Sequence, residues 1–182
     1  IICDHYTGIS IYKGDHFVTY SDRNILPDKS VFAIEEDNTG RYWLGTNGGV
    51  AVYDLAAEQG KNLMILNDAK NALGDKIRFL TADNDGRVWI GTDGKGLSYY
   101  DTRKNRVVYE TNINQYLRDI ITAMTLDRNG RLWVGNMDRL IMINSSRDEI
   151  STFTQAHGLA GNWVKVLFCD SENNIWIGTE NK

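Results

Sequence analysis

The chain has a single proline, Pro27, and only two cysteines, Cys3 and Cys169, among its 182 residues. One proline excludes a proline-rich linker or stalk. Two cysteines so far apart make neither a disulfide framework nor a metal-ligand pattern; a Cys3–Cys169 pairing stays open. Cys169, inside the apolar stretch VLFCD, reads as a small buried thiol. Only three histidines occur, His5, His16 and His157, and none has a second ligand at metal spacing. Basic residues are also in deficit, 20 Lys and Arg against 24 Asp and Glu, for a net charge of -4. A chain without a basic stripe does not suit nucleic acid, nor does it suit a polybasic membrane surface. No apolar run approaches the roughly 18 to 20 residues that span a bilayer, and no charged-then-apolar leader opens the chain.

Glycine is present in number, 17 residues, and it is periodic. The stretch SVFAIEEDNTGRYWLGTNGGVAVYD (Ser30–Asp54) returns as KIRFLTADNDGRVWIGTDGKGLSYYD (Lys76–Asp101) and DIITAMTLDRNGRLWVGNMDRLIMIN (Asp119–Asn144). A fourth copy, WVKVLFCDSENNIWIGTENK (Trp163–Lys182), covers the first part of the pattern. Trp43, Trp89, Trp133 and Trp176 hold one place in it, at intervals of 46, 44 and 43 residues. A period in the forties built of short strands and turns is the mark of β-propeller blades, each a four-stranded antiparallel sheet.

Within each copy the pattern predicts an apolar first strand, then a tight turn, DNTG, DNDG, DRNG or SENN. Asp, Asn and Gly suit that turn because it needs positive φ and side chains that bond their own backbone. The second strand, RYWLG, RVWIG, RLWVG or NIWIG, is apolar on both faces, as a sheet between two others must be. All four of its tryptophans are therefore expected to be core. The glycines that close it, Gly45, Gly91, Gly135 and Gly178, mark a bend or a close backbone approach. A third strand (VAVYD, LSYYD, LIMIN) and a more polar outer fourth complete the blade. GISIYK (Gly8–Lys13) and HFVTYS (His16–Ser21) fit as third and fourth strands of a preceding blade. The expected fold is all-β, one propeller segment over residues 1–182, with a partial blade at 1–29, blades at 30–75, 76–118 and 119–162, and a partial blade at 163–182. Ile1 falls inside a repeat, so the chain reads as an arc from a ring of six to eight blades, the alternative being closure as a four-bladed ring. Apolar faces left bare at the ends of an arc favour a homodimer.

The string Asp-x-x-Gly-Arg-h-Trp-h-Gly-Thr (h apolar) resembles the two-component regulator propeller repeat. Asp37–Thr46 and Asp83–Thr92 match throughout; Asp127–Asn136 departs at Asn136, and the copy at Asp170–Thr179 carries Asn174 in place of Arg. HGLAGNWVKVLFCD resembles the loop by which that family enters a new blade. The resemblance implies a segment of the extracytoplasmic, periplasmic sensor region of a hybrid two-component system of Bacteroidetes. Such regions sense oligosaccharides released from glycans and signal to a histidine kinase across the membrane. No kinase sequence occurs in these residues, so the segment is expected to be non-catalytic and to need no cofactor. Its partners would be an oligosaccharide or other small ligand and the remaining blades and domains of the parent protein.

The residues themselves offer little for catalysis. Asp83–Gly86 starts like a calcium loop, but its twelfth position is Gly94 where a glutamate is needed, so it is a turn. Glu35 and Glu36 alternate across a strand and cannot share a substrate. In an up-and-down blade the loops joining strands 2 and 3 share one end with the inter-blade connections, and there the copies disagree. The binding candidates are therefore Asn47, Lys76, Asp93, Lys95, Tyr116, Arg118, Asp138, Arg139 and Trp163. Trp163 stands where the other copies carry Ser30, Lys76 and Asp119, and would stack on a sugar ring or anchor a neighbouring domain. Arg and Lys at this end suit the carboxylates of acidic sugars. Two other readings compete: a protein–protein scaffold, and a propeller lyase of the streptogramin type, which needs a His and Glu set around a metal.

Overall fold

The computed structural model describes residues 2–4, 8–20, 26–54, 62–66, 73, 76–117 and 120–180. Antiparallel sheets follow one another along the chain. The first contains β1 (Ile2–Asp4), β2 (Gly8–Tyr12) and β3 (Phe17–Tyr20). The second runs β4 (Val31–Glu36), β5 (Arg41–Thr46), β6 (Gly49–Asp54), β7 (Asn62–Leu66). The third runs β8 (Ile77–Ala82), β9 (Arg87–Thr92), β10 (Leu97–Asp101), β11 (Arg106–Tyr109). The fourth runs β12 (Ala123–Leu126), β13 (Leu132–Gly135), β14 (Leu140–Ile143), β15 (Ile150–Phe153). β16 (Trp163–Cys169) and β17 (Ile175–Glu180) form a two-stranded fifth. Strands are neighbours in space in the order of the sequence, the up-and-down blade of a propeller.

The tight turns form as their composition requires. Gly40, Gly86 and Gly130 take φ of +79°, +81° and +74°, and Asn173 takes the same place with φ 68°, a conformation that glycine and asparagine adopt at least cost. Among the described residues helix is confined to one four-residue turn, α1 (Thr111–Asn114), and a 3₁₀ turn at Gln155–His157. The sequence pattern runs the fourth strand of the third sheet on through RVVYETN; the structure ends it at Tyr109 and turns into α1.

The sheets stack face to face, and Trp43, Trp89 and Trp133 are each covered by the sheet that follows. Trp43 packs among Ile77, Leu80, Val88, Ile90 and Tyr100 of the third sheet. Trp89 packs against Ile121 and against Leu132, Val134, Ile141 and Ile143 of the fourth. Trp133 meets Val164, Leu167 and Ile177 of the fifth and is partly buried. Trp176 is 63% exposed, which corrects its assignment to the core: among the described residues no sixth sheet lies over it. Cys169 is a half-buried free thiol rather than a buried one.

The closing glycines show how tightly the sheets meet. A Cβ on Gly45 would lie 2.8 Å from Ile77 Cγ2, and one on Gly135 only 2.5 Å from Val164 Cγ1. Ile77 is the first residue, and Val164 the second, of the first strand of the next sheet. First strands meet one another, β4 against β8, β8 against β12 and β12 against β16, and so form the inner edge of the arc.

Candidate functional site

The repeated string builds one end of each sheet and is used up by doing so. Asp37 Oδ1 accepts the N–H groups of Thr39 and Arg41, and Oδ2 accepts Trp43 Nε1–H at 2.8 Å and Arg41 Nε–H at 2.9 Å. Asp83, Asp127 and Asp170 repeat this, with Trp89, Trp133 and Trp176 donating at 2.9, 3.0 and 2.8 Å. Asn174 donates its amide to Asp170 at 3.0 Å where the other copies use Arg, so the departure at that position keeps the bond and drops the charge. Burial alone would raise the Asp37 pKa; the donors from Thr39, Trp43 and Arg41 outweigh it and hold it at about 2. Asp83 and Asp127 are lowered in the same way against burial. In Asp170 the Trp176 and Asn174 donors lead, and the value is again about 2.

Neighbouring turns are also stitched together. Asn38 donates to the Asp83 carbonyl, Arg128 N–H to the Asn173 side chain, and Arg147 Nη2 to Asp83 at 3.0 Å. A crevice of about 230 Å³ lies here, lined by Asn84, Asp85, Arg128, Asn129 and Arg147 among others. Its deepest acid, Asp83, already accepts from Trp89, Arg87 and Arg147, so this end is structural.

At the opposite end the sheets differ from one another. In three of the sheets the residue after the buried apolar residue at the start of the first strand is squeezed out of register. Val31 pairs with Thr46 and Ala33 with Gly45, so Phe32 is a bulge. Arg78 lies between Ile77 and Phe79, and Lys165 between Val164 and Val166, in the same way. In the fourth sheet Thr122 holds this position beside the Ala123–Gly135 pair, and its hydroxyl donates to the Val164 carbonyl. A bulge re-aims its side chain. The four residues so placed, Phe32, Arg78, Thr122 and Lys165, have unlike chemistry.

Two clusters form here. Arg78 Nη2 bonds Asp93 Oδ2 at 3.2 Å, its guanidinium carbon lies 4.2 Å from the centroid of the Phe32 ring, and Lys76 Nζ is 4.0 Å from the same carboxylate. Asp93 N–H donates to the Lys76 carbonyl, and Asp93 bridges to Ile120 of the next sheet. In the second cluster Lys165 Nζ sits 3.1 Å from the Trp163 ring centroid and 2.7 Å from Glu180.

Of the residues singled out from sequence, Lys76 and Asp93 thus come together, and Trp163 anchors the second cluster. The strand register sets Trp163 level with Ser30, Lys76 and Ile120, correcting Asp119 as its counterpart. Asn47 and the exposed Lys95 lie in turns of the same end; Asn47 N–H bonds the Ser30 carbonyl and Lys95 N–H bonds Thr92 Oγ1. Asp138 and Arg139 give their N–H groups to Asn136 Oδ1 at 2.8 Å each. Asn136 Nδ2 reaches the Leu117 carbonyl at 3.0 Å, so the residue that replaces the repeat's threonine ties this loop to the segment after α1. Tyr116 packs in that segment, and Arg118 lies outside the described residues. Sequence reasoning passed over Phe32, Arg78 and Lys165. Their signal was divergence at one position inside an otherwise apolar strand.

The sequence pattern described as two component regulator propeller matches residues 25–48, 72–94, 116–138 and 158–181. No curated protein matches the chain as a sequence. Among solved structures it is similar to the extracellular domain assigned to the hybrid two component system BT3049 of B. thetaiotaomicron, with TM-score 0.77, 23% identity, 97% of this chain and 24% of that one covered. It is similar to PorZ, a surface component of the type-IX secretion system of Porphyromonas gingivalis, with TM-score 0.70, 15% identity, and 93% and 27% covered. Virginiamycin B lyase of Staphylococcus aureus gives TM-score 0.62 and 19% identity over 82% of this chain and 48% of that one. The chain therefore spans about a quarter of the length of the first two, and at these identities the likeness is one of fold.

Proposed function

This chain belongs to the two component regulator propeller family, and from that premise we propose that it is a ligand-sensing segment of an extracytoplasmic sensor head. In this reading it binds a glycan-derived oligosaccharide and passes the signal, through the remaining blades and domains of its parent, to a histidine kinase. One observation carries the reading. The repeats keep the same Asp–Trp bond at the tight-turn end and place unlike, partly exposed Lys76, Arg78, Trp163 and Lys165 at the other. Structural demands recur in every blade, whereas residues free to differ can specialise for a ligand. Aromatic faces and cations side by side suit sugars.

A non-catalytic role fits the way His157 is used: its Nδ1 accepts from the Thr154 N–H at 3.2 Å and closes the cap of the 3₁₀ turn. Extracytoplasmic placement draws support from the extracellular domains that share the fold. The test is thermal melting of the intact extracytoplasmic region of the parent against acidic and neutral oligosaccharides. A saturable rise in Tm with one glycan class, lost in Trp163→Ala, is expected. No shift across the panel would favour a scaffold that docks proteins.

A further inference from the structure

Among the described residues Arg78 is held differently from Arg87, Arg131 and Arg147. Its guanidinium is held on two sides, over the ring of Phe32 of the preceding sheet at 4.2 Å from the centroid, and by a bond from Nη2 to Asp93. An arginine carries five N–H donors in a rigid fork. The remaining N–H groups of Arg78 meet no acceptor among the described residues, and the side chain is 35% exposed. By contrast, Arg87 is spread over Asp83 and Asp85, Arg131 is closed on Asp127, and Arg147 is anchored to two carbonyls and Asp83.

We infer that Arg78, fixed by Phe32 and Asp93 and flanked by Lys76, is the anchor for a carboxylate on the ligand, so that the sugar sensed is an acidic one, a uronic acid. This rests on the sensing role proposed above and adds the ligand class and the residues that read it. The guanidinium fork matches the two oxygens of a carboxylate in one plane. A side chain already immobilised loses little freedom when the ligand arrives. Asp93, selected from the sequence as a contact residue, is in this arrangement a positioning residue: it holds Nη2 of the fork. Lys76, 49% exposed and at the limit of ion-pair distance from Asp93, adds a second, mobile charge. The β-bulge is what brings Arg78 here; in regular register residue 78 would stay within the stacked face of the strand.

The experiment titrates the intact extracytoplasmic region with tri-galacturonate and with its methyl ester, which differ in charge and little else, by calorimetry. The Arg78 Nε–H signal is followed by NMR alongside. The expected result is saturable binding of the acid, at least tenfold weaker binding of the ester, and a shift of the Arg78 signal on saturation. Arg78→Lys, which keeps the charge and loses the fork, and Phe32→Leu should each weaken the acid tenfold or more and narrow its advantage over the ester. Asp93→Asn should weaken the acid less and broaden the Arg78 signal in the free protein. Equal binding of acid and ester, or acid binding that ignores Arg78→Lys, would overturn the inference and leave sensing intact. Binding of the neutral members of the wider oligosaccharide panel alone would do the same. No binding of any of these probes would overturn both.

Discussion

A single aspartate per blade ties the tight turn, the arginine and the tryptophan into one unit. Asp83 shows it best, since its carboxylate is 3% exposed and also receives Arg147 from the next sheet. Asp83→Asn removes charge-assisted bonds from a buried cluster and should lower stability by roughly 2 to 3 kcal/mol in urea unfolding. The same residues set the acid limit of the fold. Their folded pKa values lie below the roughly 3.9 of an unfolded aspartate, with Asp37 at about 2. The stabilisation they supply is therefore complete above about pH 4 and is lost as pH falls toward about 2. Melting temperature followed from pH 5 to pH 2 should fall through that window, and the fall should be shallower in Asp37→Asn. A melting temperature flat to pH 2.5 would contradict this account.

At the scale of the strand, the close contact of sheet with sheet is decided at the glycine that ends each second strand. Gly135→Ala would drive a methyl into Val164, 2.5 Å away, and should cost about 1 to 3 kcal/mol through displacement of β16. At Gly178 the nearest atom to an added Cβ is Val166 Cβ at 3.4 Å, an ordinary contact, and Gly178→Ala should stay within about 0.5 kcal/mol. Comparing the two urea midpoints checks the claim; equal losses would show that the glycine serves the strand's own backbone and not the stacking. α1 shows the reverse case, a local element set by tertiary packing. Ile113 and Leu117 are buried between sheets, and Asn114 gives and takes one bond each with the Leu97 backbone, filling a strand's place with a side chain. A four-residue helix has no propensity signal strong enough to be read from TNIN alone.

At the scale of the whole molecule, the stacking of the described sheets ends on the apolar face of β16 and β17. Val166, Phe168 and Trp176 are 59%, 59% and 63% exposed, and Phe168 pairs directly with Trp176 across the two strands. A contiguous apolar face of this kind associates in water. The isolated chain should show concentration-dependent self-association in light scattering, reduced in Phe168→Lys; a monomer at all concentrations would contradict it. The repeat string alone determined the blade architecture, because turn chemistry, two-faced apolar strands and a fixed period are local signals that recur. It also marked the end of the sheets where Lys76, Asp93 and Trp163 lie, because that is where the copies diverge. Only the tertiary structure decided that Trp176 is bare while Trp43 is enclosed, since burial depends on the sheet that follows and not on the residue. It alone placed Arg78 on Phe32, 46 residues earlier in the chain, since a one-residue bulge leaves no trace in composition and the contact joins two different sheets.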